Sequence, residues 1–139
     1  MLANWRITRL NRLLQAGGVI AYPTEGVFGL GCLPESLQGA GRILAIKKRD
    51  PDMGMLLIAA NAEQLAPWIA PDVDTAKLTS RAAQPTTWIV PTSGNVPYWV
   101  TGAHSGVAVR ITRHPVAAAL CDAADSAIIS TSANLSGQR

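Results

Sequence analysis

The sequence predicts an α/β domain. Short apolar runs of strand length alternate with stretches of helical periodicity, and the first and last of those runs break into polar clusters at their carboxyl ends. The first run lies within residues 17–31, GGVIAYPTEGVFGLG. Val19, Ile20, Ala21 and Tyr22 are too few for an ordinary helix and uniformly apolar, which predicts a strand buried on both faces. Pro23 ends it, because proline cannot donate to a sheet ladder. Thr24 and Glu25 then stand at the strand's carboxyl end, the edge at which open α/β sheets bind ligands. Gly26, Gly29 and Gly31 predict a sharp turn that lets backbone approach a bound group.

Composition sets the outer limits. With 139 residues, 48% of them hydrophobic, the chain is expected to form one domain, residues 1–139, around its own core. Twelve Lys and Arg against nine Asp and Glu give a net charge of +3, which permits a nucleotide or nucleic-acid partner without requiring one. Cys32 and Cys121 have neither C-x-x-C spacing nor a neighbouring histidine, so they suggest no zinc site and no disulfide framework. Reduced, buried cysteines and a cytoplasmic location are the expectation. No apolar run approaches the roughly 18 residues of a membrane span, and no membrane partner is expected.

The remaining elements follow in chain order. Asn4 is placed to cap an opening helix whose inward face is Ile7, Leu10, Leu13 and Leu14; Arg6, Arg9 and Arg12 lie on the other side, and Gly17 and Gly18 stop it. A second helix is predicted over residues 36–47, with Leu37, Ala40, Ile43 and Leu44 inward. Lys47 and Arg49, two apart, cannot share a face of a continuing helix, and Pro51 biases Asp50 away from helical geometry, so the helix unwinds there. The two cations serve either the helix macrodipole or a phosphate. Residues 55–60, MLLIAA, predict a buried strand, and Asn61 with Gln64 predicts a capped helix carrying Leu65, Trp68 and Ile69. A short helix over residues 75–81 and a strand over 86–90 follow, then a turn-rich loop over 91–97.

Residues 107–112 predict a strand with Val107, Val109 and Ile111 on one face and Arg110 on the other, where the arginine calls for an anion from the protein or from a ligand. His114 caps a helix begun by Pro115. The last apolar run, within AIISTSANLSG, breaks into Ser130, Thr131, Ser132 and Asn134, so that two hydroxyl-rich strand ends are expected to line one crevice. Hydroxyls and an amide can orient a phosphate, a ribose or an amino acid; they serve equally as turn and cap residues.

In order, the chain holds P-T-E-x-V-F-G-L-G, then K-x-R, then V-A-V-R with a following H-P, then S-T-S-A-N-x-S-G. This combination resembles the YrdC-like family of threonylcarbamoyl-AMP synthases, from about residue 18 to residue 137. The resemblance implies a twisted, open mixed α/β sheet flanked by helices around a basic concave cleft. There, threonine, bicarbonate and ATP would become threonylcarbamoyl-AMP and pyrophosphate for the threonylcarbamoyl modification of adenosine 37 in tRNA. It assigns Thr24 and Arg110 to the threonine substrate. Lys47 and Arg49 go to the ATP phosphates, and Thr87, Ser130, Ser132 and Asn134 to the nucleotide. No side-chain nucleophile and no protein-bound metal are implied; magnesium is expected to accompany ATP. The implied partners are tRNA or another structured RNA and other proteins of the same modification.

The chain departs from the family pattern at three places. The turn W-P-G-P-x-T is replaced by Ala82, Ala83, Gln84, Pro85, Thr86 and Thr87, and Met53 stands where a polar residue is usual. Family domains also continue past S-A-N-x-S-G, so the expectation is a single domain lacking the family's C-terminal segment. These departures keep two alternatives in play, a non-catalytic RNA-binding module of the same fold and a small-molecule or carbamoyl-handling relative.

Overall fold

The computed structural model describes residues 4–23, 28–79 and 86–132. Among them, helices α1 (Asn4–Gln15), α2 (Leu37–Lys47), α3 (Thr75–Leu78), α4 (Tyr98–Thr101) and α5 (Pro115–Ala124) surround one sheet. Its strands are β1 (Ile20–Pro23), β2 (Phe28–Cys32), β3 (Leu56–Ala59), β4 (Trp88–Pro91), β5 (Gly106–Ile111) and β6 (Ile128–Ser132). Their order is β1-β2-β6-β3-β5-β4, with β3 and β5 parallel and every other pair antiparallel. The open mixed sheet is the one expected. No helix among the described residues is long and apolar enough to cross a membrane.

Two layers cover the sheet. On one face Ile20, Tyr22, Ile58 and Ile128 pack with Leu14 of α1 and with Val116, Ala117 and Leu120 of α5. On the other, Cys32, Leu57, Ala59, Val107, Val109 and Ile129 pack with Ala40 and Ile43 of α2 and with Leu65, Leu78 and Val100. Burial pushes both Cys32 and Cys121 thiols up to about 12, so these are inert packing groups.

The first motif differs from its expected form. β1 is an edge strand with Ala21 exposed between buried Ile20 and Tyr22, because only one side of that edge carries helices. Gly29 and Gly31 do not form a turn; they lie in β2, which returns antiparallel to β1 with Ile20 opposite Gly31 and Pro23 opposite Phe28. Glycine is needed at 31 for space, since a Cβ there would stand 2.7 Å from Tyr22 Cε1 and 2.8 Å from the Ile129 carbonyl oxygen. Gly39 likewise lets α2 settle on Cys32, where a Cβ would come within 2.6 Å of the cysteine Cβ.

Other boundaries shift for local reasons. Asn4 is already helical, and Leu13 and Leu37 are exposed, each lying just off the stripe that its helix buries. Ser36 caps α2, its Oγ accepting from Gly39 N at 2.9 Å. Asn61 accepts from Gln64 N at 3.1 Å, as a capping pair does. Gln64 instead turns back to accept from Ala60 N at 2.8 Å and to donate to Asp122, and only a short 3₁₀ turn over Ala62–Leu65 forms. Ile69 is drawn into a bridge with Thr92 instead of a helix. The strand expected at 86–90 starts at Trp88, and the helix expected at 75–81 is described to Leu78. His114 caps α5 as read, accepting from Val116 N through Nδ1 at 3.1 Å.

Gly31→Ala should destabilise the fold by about 1–3 kcal/mol, because both atoms it would strike belong to packed neighbours. Urea unfolding measures this, and a midpoint equal to the unsubstituted protein's would refute the tight approach.

Candidate functional site

Register brings the functional strand ends together. Pro23 lies opposite Phe28, Gly29 opposite Ser132 and Ser130 opposite Leu56. The carboxyl ends of β1 and β6 therefore share one end of the sheet with the amino ends of β2 and β3. The two strand ends expected to line one crevice thus lie at the same end of the sheet; Thr24 and Asn134 themselves lie outside the described residues.

The end of α2 delivers the cations to this place. Lys48 adopts a left-handed conformation (φ 51°, ψ 44°), and the Arg49 N–H closes onto the Leu44 carbonyl at 3.0 Å, so the helix stops where Pro51 predicted. Lys47 then points back to the sheet, its Nζ donating to Ser132 Oγ at 3.2 Å across 85 positions of sequence. The lysine is 3% exposed. Burial lowers its ammonium pKa below the ordinary value, and the neighbouring Arg49 guanidinium lowers it further.

Arg49 turns the other way. Its Nε and Nη2 both donate to the Gly54 carbonyl, at 3.1 and 3.0 Å. Gly54 (φ +71°) is wedged against α4, where a Cβ would meet the Val100 carbonyl oxygen at 2.6 Å. Met55 N donates to that same carbonyl at 2.8 Å, Ala103 N to the Asp52 carbonyl at 2.9 Å, and the Tyr98 hydroxyl to the Asp52 carboxylate. The Arg49 guanidinium thus rests on a rigid wall.

Beyond that wall, no described helix covers the sheet. Alternation with Val107 and Val109 puts Ala108 and Arg110 on the face where α1 and α5 pack, but among the described residues those helices lie against β1 and β3 and leave β5 and β4 uncovered. Ile89 is accordingly 72% exposed. A cleft of about 510 Å³ occupies this strip, floored by Leu56, Ile89 and Ala108 and walled by Arg49, Met53, Thr87 and His104. Arg110 donates through Nε and Nη2 to the Thr87 hydroxyl at 3.1 and 2.7 Å. Among the described residues, then, a hydroxyl and not an anion receives the strand arginine. Among the described residues neither Arg49 nor Arg110 has a carboxylate partner.

The structure thus brings Lys47 to Ser132 at that end of the sheet and lines one cleft with Arg49 and Thr87, while Arg110, held by Thr87, lies further along the strands, opposite Ile58. Ser130 is buried beside the Tyr22 hydroxyl, which is itself buried. The Thr87–Arg110 pair and the apolar floor escaped the residue pattern because cross-strand neighbours are set by register. The altered turn at residues 82–85 lies outside the described residues, while Met53 lines the cleft.

A strip of mixed sheet left open among the described residues, with an apolar floor and arginines held by neutral oxygens, defines an α/β domain with a cleft that carries cationic side chains. The family model Sua5_yciO_yrdC, described as "Telomere recombination", matches residues 12–139. The chain belongs to this Sua5/YciO/YrdC family. It is 47% identical over 134 residues to the threonylcarbamoyl-AMP synthase of Alkalilimnicola ehrlichii, covering 96% of this chain and 70% of that protein. It is 44% identical over 137 residues to that of Cellvibrio japonicus, covering 97% and 72%. The P. abyssi Sua5 structure complexed with L-threonine superposes with a TM-score of 0.88 at 30% identity, covering 99% of this chain. The chain spans 41% of that structure's length. E. coli YciO superposes with a TM-score of 0.83 at 25% identity, and 68% of it is covered.

Stability from neutral to alkaline pH should report the lowered Lys47 pKa. The unfolded chain holds the proton more tightly than the folded one, so this lysine should make stability rise as pH climbs through the lowered pKa toward 10.5. Lys47→Met, similar in volume but uncharged, should remove that rise. Melting temperatures of both proteins across this pH range check it; the same pH dependence in both would contradict the desolvation reading.

Proposed function

We propose that this domain makes threonylcarbamoyl-AMP and pyrophosphate from threonine, bicarbonate and ATP, supplying the intermediate for threonylcarbamoyl modification of tRNA. The identity of 44–47% to synthases across 96–97% of the chain carries this reading. It favours an enzyme over a non-catalytic RNA-binding module.

The chemistry suits the side chains. Bicarbonate takes up a proton and loses water to give carbon dioxide, which threonine's amine captures as a carbamate with release of its proton; a carbamate oxygen attacks the α-phosphorus of ATP, and pyrophosphate leaves with the electron pair of the broken P–O bond. The protein has to hold two anions in line and offset their repulsion, and no side-chain nucleophile is needed. Lys47 and Arg49 would neutralise the ATP phosphates. Arg110, steadied by Thr87, would take the threonine carboxylate, and Thr24 the rest of the amino acid. Ser130, Ser132 and Asn134 would orient the nucleotide by hydrogen bonds. Among the described residues no three His, Cys, Asp or Glu side chains are grouped to hold a metal, so magnesium would arrive on the phosphates of ATP.

Pyrophosphate release should require ATP, threonine and bicarbonate together, measured with each omitted in turn. Release indifferent to threonine would overturn the reading. Arg49→Ala should weaken ATP binding by about 1.5–3 kcal/mol, the range for a charge-assisted hydrogen bond, and cost about 1 kcal/mol of stability through the lost Gly54 contacts. Calorimetric ATP titration and a thermal melt separate the two effects; undiminished ATP affinity would leave Arg49 a purely structural brace.

A further inference from the structure

The outer face of α1 takes no part in the cleft. Arg6, Arg9 and Arg12 recur at three-residue intervals along it, and with Trp5 and Leu13 they occupy the arc outside the stripe of Ile7, Leu10 and Leu14. All five are exposed, Trp5 to 61% and Leu13 to 47%. The helix contains no acidic residue, and among the described residues none of the three arginines is ion-paired. Three unneutralised guanidinium groups within about 9 Å of helix length form a local positive field stronger than the net charge of +3 suggests.

Trp5 narrows the choice of partner. The Arg6 guanidinium lies over its ring at 5.2 Å from the centroid, so one ring face is occupied, and among the described residues nothing stacks on the other. An indole with a free face beside a row of arginines matches an unpaired base next to its phosphates. An anionic membrane matches less well, because the helix's apolar side, Ile7, Leu10 and Leu14, is already packed in the core with α5 and only Trp5 and Leu13 remain to insert.

We propose that the exposed face of α1 is a docking surface for single-stranded nucleic acid, with Arg6, Arg9 and Arg12 on successive phosphates and a base stacked on Trp5. This surface is independent of the synthase reading.

The test compares the protein with its triple variant Arg6→Gln, Arg9→Gln, Arg12→Gln and with Trp5→Ala, using a short single-stranded RNA in fluorescence anisotropy at several salt concentrations. Losing three phosphate contacts should lower the slope of log affinity against log salt by about 2 and reduce affinity at least tenfold. Trp5→Ala should cost about tenfold with the slope unchanged. Pyrophosphate release should be the same in all three proteins. Should the triple variant not fold, Arg9→Gln alone should lower the slope by about 0.7. RNA affinity and slope unchanged by the arginine substitutions would overturn the proposal. So would loss of binding to phosphatidylserine vesicles with RNA binding intact, which would make the face a membrane contact.

Discussion

The site depends on the position of β2 between β1 and β6. By returning antiparallel from the first motif, β2 brings the carboxyl ends of β1 and β6 to the same end of the sheet, with Gly29 opposite Ser132. Its glycine at 31 is the reason the strand can lie against Tyr22 and the Ile129 carbonyl at once. The chain leaves β2 at Cys32, and α2 seats its own Gly39 on that cysteine, so the same strand also sets where α2 ends. From there Lys47 reaches Ser132. One hairpin and two missing Cβ atoms thus determine the meeting of residues far apart in the chain.

Around that meeting point the protein accepts electrostatic cost. Lys47 is buried as a cation with Arg49 two residues away, and both burial and the neighbour disfavour its charge. Arg49 and Arg110 are held by a carbonyl and a hydroxyl, which fix their geometry, and among the described residues neither has a carboxylate partner. A domain selected only for stability would have placed carboxylates beside them. Neutral supports are what a cleft for anionic substrates requires, since a fixed carboxylate would compete with the incoming ligand.

The uncovered strip follows from layer arithmetic. On that face α1 and α5 have the width to protect β1 and β3, and the strands beyond them keep their side chains open to solvent. Ile89 and Ala108 are apolar there without being core, which suits a surface that a ligand covers.

The sequence by itself determined the α/β class, the stop of α2 at Lys47, the cap at His114 and the two-faced strand around Arg110. Each of these rests on local chemistry: proline geometry, side-chain capping and the period of two. The order of four motifs also pointed to the family and so to the cation and hydroxyl residues, because a linear pattern survives without coordinates. Tertiary structure alone decided that Gly29 and Gly31 belong to a strand, that Gln64 turns back on Ala60 and reaches Asp122, and that Arg110 meets Thr87. It also decided which strip of the sheet stays bare. Those outcomes depend on which strand lies beside which and in what register, and register is set by long-range packing that short windows of sequence do not contain.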